Sequence, residues 1–361
     1  MATNFFKDLK VLELAGVLAG PSVGMFFAEL GADVTKIENK RAGGDVTRKW
    51  KTPGEDPNAS VSAYYASVNY NKKSLFLDLT NESDQQVLQA LVADSDVIIT
   101  NFKAGDAERY GVGHDQVKKI NDQAIYVALT GFASQPERTA FDVILQAETG
   151  YMSMNGTPES GPVKIPLAIV DLFAGHQLKE AILIAMLNKT KTGKGAYIHL
   201  SLEEAAISSL ANQASNWLMG NHLPQRIGSW HPNIAPYGET FTCRDGKSLV
   251  LAVGSDRHFQ ALCEVLDIPE LADDMRFNTN ANRVENREEL YRLLNEQIGI
   301  LKSEAIMNQL EERQVPAAII KNIKEVFENE VAQKLILEQE EVSGQVSKRV
   351  STTPFQITYY T

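Results

Sequence analysis

Apolar runs of strand length alternate with helix-period segments from Leu9 to Leu202. LKVLELAG predicts a strand, PSVGMFFAELGA a helix closed at Gly31, and DVTKIE a second strand. A polar stretch runs from Arg41 to Ser60, and three further pairings follow. They are SLFLDL before QQVLQALVA, DVIITNF before QVKKIN, and AIYVALTGF before a helix around Val143 to Met152. Alternation of this kind predicts an α/β protein with a doubly wound parallel sheet.

The strand-like segment IPLAIV then gives way to the helical LKEAILIAMLNK, which stops at KTKTGKG before strand character returns in AYIHLSL. From about Asn221 to Glu328 the texture changes. HPNIAPYGETFTCRDGKSLVLAVG predicts a hairpin about Asp245 and Gly246, followed by helices rich in Glu, Arg and Asn. The expected organisation is a large domain, residues 1–220, with a second, smaller α+β domain, residues 221–328. The tail, 329–361, has short strand-like pieces such as QVSKRVSTT and no clear helix, and either rejoins the large domain or lies across a partner.

A length of 361 residues fits this two-domain expectation. With 43% apolar and 22% charged residues the composition is that of an ordinary soluble protein. No apolar stretch approaches the roughly 20 residues of a membrane span, and MATNFFKDLK lacks a signal-peptide pattern, so no membrane association and a cytoplasmic location are expected. Cys243 and Cys263 have neither metal-ligand nor disulfide spacing and are expected to be buried. The six histidines show no i, i+4 pairing, and no metal is expected. A formal charge of −11 disfavours nucleic acid as a partner.

Two places hold candidate chemistry. The first turn, Gly16 to Ser22, does not satisfy the G-x-G-x-x-G fingerprint despite Glu38 some way beyond it, which argues against a nicotinamide or flavin. The second is Asp171, where IPLAIV meets the following helix. It is open to two readings, a nucleophile at a chain reversal or an N-cap serving free backbone N–H groups.

Taken in order, VLELAGVLAGPSVGMFFAELGADVTKIE, NKKSLFLDL, SDVIITNFKAGDAERYGVG, IYVALTGF, FDVILQAETGYMSMNG, LAIVDLFAG, KTGKGAYIHLSLEEA and HPNIAPYGETF resemble the class III coenzyme A transferases. These are the formyl-CoA, carnitine and bile-acid CoA transferases, and the likeness runs from Leu9 to about Val326. The resemblance implies a Rossmann-like large domain built from both chain ends, a smaller domain between, and a homodimer of interlocked rings. It implies no permanently bound cofactor; an acyl-CoA and a small carboxylic acid are the substrates.

In the family the aspartate of D-L-x-x-G is the nucleophile, and Asp171 occupies that position. It would attack the acyl-CoA carbonyl to give an aspartyl anhydride, then an aspartyl-CoA thioester. Attack requires an ionised carboxylate, so burial without donors would work against it. A glycine-containing turn is expected to supply backbone donors to the oxyanion.

By the same resemblance Val17 and Ala19 match first-turn CoA contacts, Leu77 an adenine-pocket leucine, Asn101 and Phe102 an N-F pair, and Arg109 an arginine shortly after. Leu77 and Phe102 are equally open to a core reading. Lys40, Arg41, Arg48, Lys72, Lys73, Lys103 and Arg109 form a basic scatter expected at the carboxyl ends of strands, either gripping CoA phosphates or simply solvated. Asn39 stands where the family often has Arg, followed by Lys40. Leu18 replaces a polar residue of formyl-CoA transferase and disfavours a formate or oxalate pocket.

Asp142 matches an acidic family position, with substrate orientation or capping as its two readings. The sister activity, α-methylacyl-CoA racemase, uses a histidine just before that aspartate, where this chain has Phe141, which exchanges no proton. A non-catalytic CoA-binding protein is the remaining alternative.

Overall fold

The computed structural model describes residues 4–358 and 360. Contacts divide the chain into two compact units, the first comprising Met1–Tyr151, Lys164–Ser215 and Val331–Thr361, the second Met152–Val163 and Asn216–Glu330.

The first unit is built on a six-stranded parallel sheet in the order β3-β2-β1-β4-β5-β6. Its strands are β1 (Lys10–Leu14), β2 (Asp33–Asn39), β3 (Lys72–Leu77), β4 (Val97–Thr100), β5 (Ile125–Thr130) and β6 (Ala196–Ser201). The strands that read as unbroken apolar runs are central, and every position of β4 is buried, as expected for a parallel sheet covered on both faces. β1 pairs with β2 on one side and β4 on the other. The strand order therefore reverses at β1, and the loops leaving the carboxyl ends of β1 and β4 part to open a crevice there.

Two glycines set the layer above the sheet. The first helix, Ala19–Glu29, is buried throughout, and a Cβ at Gly24 would fall 1.9 Å from Glu13 Oε2. The long helix Ile169–Thr192 lies against it, and a Cβ at Gly175 would meet Ser22 Oγ at 2.3 Å. The glycine of D-L-x-x-G is thus a helix-packing residue inside a helix and not part of a turn.

Three local expectations need correction. IPLAIV is not a strand: Pro166 has no N–H to offer a ladder. Gln146 holds the segment instead, accepting from Ile165 N–H at 2.7 Å and donating to Leu167 O at 3.2 Å. The helix begins at Ile169, before Asp171. The helix expected around Val143 to Met152 is two, Asp142–Glu148 and Tyr151–Met154, parted near Gly150 at φ +94°. The tail opens with a short helix, Glu330–Lys334.

Beyond it β10 (Ile336–Glu340) and β11 (Val346–Val350) form an antiparallel hairpin. The chain that follows is fastened to Glu29, whose buried carboxylate accepts from Ser351 Oγ at 2.7 Å, Thr352 N at 2.9 Å and Thr353 Oγ1 at 2.8 Å.

The second unit carries a three-stranded antiparallel sheet of β7 (Tyr237–Thr242), β8 (Ser248–Ala252) and β9 (Ala317–Ile319). The β7–β8 turn passes through Asp245 and Gly246, with Gly246 at φ +79°. Its core gathers Leu249, Leu251, Phe259 and Leu294, with both cysteines buried among them. Among the described residues no helix is long and apolar enough to cross a membrane.

Candidate active site

The turn after β1 is held from two sides. Asn101, just past β4, accepts from Gly16 N–H at 3.0 Å and donates to Gly16 O at 2.9 Å. Asp45 accepts from Val17 N–H at 3.2 Å. Val17 sits at φ +72°, a left-handed backbone that disfavours a β-branched residue and costs of order 1–3 kcal/mol.

Two cavities of the first unit meet at this turn. The larger, about 470 Å³, is bounded by the ends of β1, β2, β3 and β4, with Leu14, Ile37, Leu77 and Phe102 as apolar wall and with the exposed Arg41 and the buried Lys36 as cations. The second, about 320 Å³, has Asp171 and Asp142 on one side and Leu18, Phe141 and Lys103 among its other walls. Gly16, Val17, Asn101 and Phe102 line both. The pair therefore forms one run past the point where the strand order reverses.

Asp171 is the third residue of its helix. Only 8% of it is exposed, and among the described residues no donor bonds its carboxylate. Burial, reinforced by the negative charge of Asp142, raises its pKa from 3.8 to about 7. The cap that Asp171 was weighed for belongs to Asp142, whose Oδ1 accepts from Val170 N–H at 2.8 Å and Asp171 N–H at 3.4 Å. Ala168, at the N-cap position, has no side chain to do this. Asp142 Oδ2 is taken by Gln146 Nε2 at 2.6 Å, which fixes the cap. Asp171 is left with a carboxylate free of structural duty.

Of the residues singled out by sequence, Val17, Leu77, Asn101 and Phe102 line the larger cavity, while Ala19, Asp142 and Asp171 line the second. Lys40 and Arg109 are exposed and border neither. Asn39 accepts from Arg41 and Ala42 N–H groups at 3.0 and 3.3 Å. It caps the 3-10 turn Lys40–Ala42, and the exposed cation on the cavity wall is Arg41. Arg109 pairs with Asp106 at 3.1 Å and reaches Tyr110 Oη at 2.6 Å.

The basic scatter divides. Lys72 and Lys73 open β3, so they lie at its amino end, contrary to expectation. Lys72 is buried against Glu13 at 2.7 Å, and desolvation lowers it to about 8 although Glu13 opposes the change. Arg48 is half-buried and does not line the larger cavity; it binds both oxygens of Glu38 at 2.5 and 2.7 Å. Glu38 also accepts from Tyr65 Oη at 2.9 Å and Asp45 N–H at 2.8 Å. Burial alone would raise Glu38, but these donors and the guanidinium hold it at about 2. An acid so occupied is not available to a ribose.

Sequence reasoning missed Asp45, Gln146 and Tyr64. Asp45 lay in a stretch read only as polar. Gln146, four residues after Asp142 on one helix face, is the single case with a local signal. Tyr64 is held near 12 by burial and then by the charges of Asp171, Asp142 and Asp45, a set no sequence spacing connects.

Comparison with known proteins follows the same outline. The succinate–glutarate CoA-transferase of Agrobacterium fabrum is 36% identical over 327 residues, covering 89% of this chain and 81% of that protein. Human succinyl-CoA:glutarate CoA-transferase is 34% identical over 324 residues, covering 89% and 73%. The crystal structure of a CAIB/BAIF family protein from Brucella suis superposes with a TM-score of 0.85 at 36% identity, covering 99% of this chain and 93% of that one. The family described as CoA-transferase family III matches residues 6–358. On a match of that extent the chain belongs to CoA-transferase family III, and is an enzyme that transfers coenzyme A.

Proposed function

We propose that the enzyme moves CoA between an acyl-CoA and a carboxylic acid through covalent intermediates on Asp171. Asp171 attacks the thioester carbonyl, the C–S bond breaks, and CoA leaves as thiolate, giving a mixed anhydride. The thiolate then attacks the aspartyl carbonyl, releasing the first acid and leaving an aspartyl-CoA thioester. The acceptor carboxylate attacks that thioester to form a second anhydride, and CoA thiolate takes the new acyl group, regenerating the Asp171 carboxylate. Charge and atoms balance at every step without an external base.

The observation that carries this reading is the state of Asp171. It faces a cavity with no hydrogen bond to its carboxylate among the described residues, while Asp142 does the capping. Against the expectation of compensating donors, burial lifts Asp171 to about 7, which leaves it only partly ionised at neutral pH, but a carboxylate so lifted is a stronger nucleophile once ionised than an ordinary aspartate. The larger cavity is the proposed seat of CoA, with Val17, Leu77, Asn101 and Phe102 as contacts and Arg41 toward phosphate. Lys40 and Arg109, both exposed, are proposed to meet the part of CoA that extends beyond it.

A dicarboxylate of succinate or glutarate size is the proposed acid. The named activities of the two transferases above support it. So does Lys103, exposed on the wall of the second cavity and free of any ion pair among the described residues. Racemisation finds no proton donor in Phe141, which is half-exposed on that same cavity. A homodimer is proposed on the family resemblance, and Ile184 and Leu187, both left about two-thirds exposed on the Asp171 helix, support it.

Incubation with succinyl-CoA and hydroxylamine tests the mechanism. Mass spectrometry is expected to find a hydroxamate at Asp171, and Asp171→Ala is expected to lose transfer to glutarate by at least about 10³-fold while still binding CoA. Unlabelled Asp171, or a variant with ordinary turnover, would sink the assignment.

A further inference from the structure

We propose that Asp45 is a positioning residue for CoA transfer. Its carboxylate holds Val17 in a left-handed backbone that valine does not keep unaided, so the turn between the two cavities presents one fixed face to the thioester. The proposal rests on the reading above that acyl-CoA lies across that turn.

Each atom of the Asp45 carboxylate is committed. Oδ2 accepts from Val17 N–H at 3.2 Å and is ion-paired with Lys36 Nζ, also at 3.2 Å. Oδ1 accepts from Thr47 N–H at 3.0 Å and Thr47 Oγ1 at 2.8 Å, which prevents it from swinging away. Lys36 is itself buried and fixed, donating to Glu13 Oε1 at 2.9 Å and Ala15 O at 2.6 Å. The lysine therefore ties the Asp45 carboxylate to the strand end from which the turn departs. A Cβ at Gly16 would stand 3.4 Å from Asp45 Oδ2, so the carboxylate lies directly under the turn.

The second holder does not duplicate this one. Asn101 takes both polar groups of Gly16 and neither of Val17. Among the described residues only Asp45 is found on the Val17 N–H. Glycine would adopt φ +72° freely, but it would remove the side chain that lines both cavities. This chain keeps a valine there and supplies an external hold. Strain of this sort persists only where its surroundings over-determine it.

A double-mutant cycle tests the assignment. Asp45→Ala is made in the parent and in Val17→Gly, and kcat/KM for transfer from succinyl-CoA is measured in all four proteins. In the parent background the loss is expected to be about tenfold or more; in the Val17→Gly background it is expected to fall below about threefold, because glycine no longer needs holding. Equal losses in both backgrounds would overturn the proposal and leave Asp45 a general structural residue. Should Asp45→Ala fail to fold, restoration of a cooperative melt by Val17→Gly supports the proposal, and failure in both backgrounds overturns it.

The cycle compares rates and does not depend on which atom is acylated. A negative hydroxylamine trap with strong coupling would sink the Asp171 mechanism and leave the Asp45 assignment standing.

Discussion

Glu38 and Asp171 are both buried carboxylates of the same unit, 2% and 8% exposed, and they titrate at opposite ends of the carboxylate range, about 2 and about 7. Burial is the largest influence on each and pushes both upward. What separates them is supply. Glu38 receives donors from Arg48, Tyr65 and the Asp45 backbone, whereas Asp171 receives none among the described residues and faces a second carboxylate. The chain completes one acid and withholds from the other, and only the withheld one lines the cavity assigned to the reacting carbonyl.

The largest expected effect comes from breaking the satisfied acid. Glu38→Gln leaves the half-buried Arg48 guanidinium without its counter-charge, and removing one partner of a buried pair costs about 3–5 kcal/mol, with the lower end expected here. Because the folded pKa of Glu38 lies below its ordinary 4.5, its stabilisation is present above that value and is lost as pH falls toward about 2. Chemical denaturation should therefore show a large deficit for the variant at pH 7 that narrows below about pH 4. A variant as stable as the parent at pH 7 would show that the donors around Glu38 contribute no net stability.

The withheld acid should behave in the reverse sense. Asp171 has a folded pKa above its ordinary 3.8, so the folded state holds the proton longer than the unfolded chain and the parent loses stability as pH rises through the interval to about 7. The full displacement corresponds to roughly 4 kcal/mol, and access to the cavity brings the expected figure to about 2–3 kcal/mol. Asp171→Asn, inactive as an enzyme on the proposed mechanism, is accordingly expected to be more stable than the parent at pH 8 and no more stable at pH 4. Equal stability at both would mean that Asp171 is solvated as an ordinary aspartate.

How much of this was legible in the sequence divides along the same line. Alternation made β1, the first helix and β2 readable, and Asp245 with Gly246 marked the β7–β8 hairpin, because these signals are local. IPLAIV misled because its apolar spacing is strand-like while its backbone bonds go to Gln146. Asp171 was singled out by its place where the chain turns helical and given its role by resemblance to a family, which also supplied Phe102; Asp142 was left between substrate orientation and capping, since which helix a distant carboxylate caps leaves no mark in spacing. The Glu38 cluster was invisible: Arg48 read as a candidate for phosphate, and its partner lies ten residues back, on β2, with Tyr65 and Ser74 completing the shell. Charges in a sequence reveal their number but not their pairing.

The smallest expected effect sharpens the contrast most. Asp142 acts on Asp171 in two ways: its Oδ1 caps the helix, and its negative charge adds to the upward pressure that burial begins. Asp142→Asn keeps an oxygen for Val170 N–H and deletes the charge; its amide N–H2 replaces the oxygen that accepts from Gln146 Nε2, so the contact to Val170 is kept without that brace while the repulsion is removed. Asp171 should then ionise earlier, and the acid limb of the kcat/KM profile, which rises as Asp171 loses its proton, should move to lower pH. Since burial is the larger cause, the movement is expected to be under about one pH unit, with the alkaline plateau reduced because a less basic carboxylate is a weaker nucleophile. An acid limb that stays in place would mean that desolvation alone sets the titration of Asp171, and that the neighbouring carboxylate serves the helix and not the chemistry.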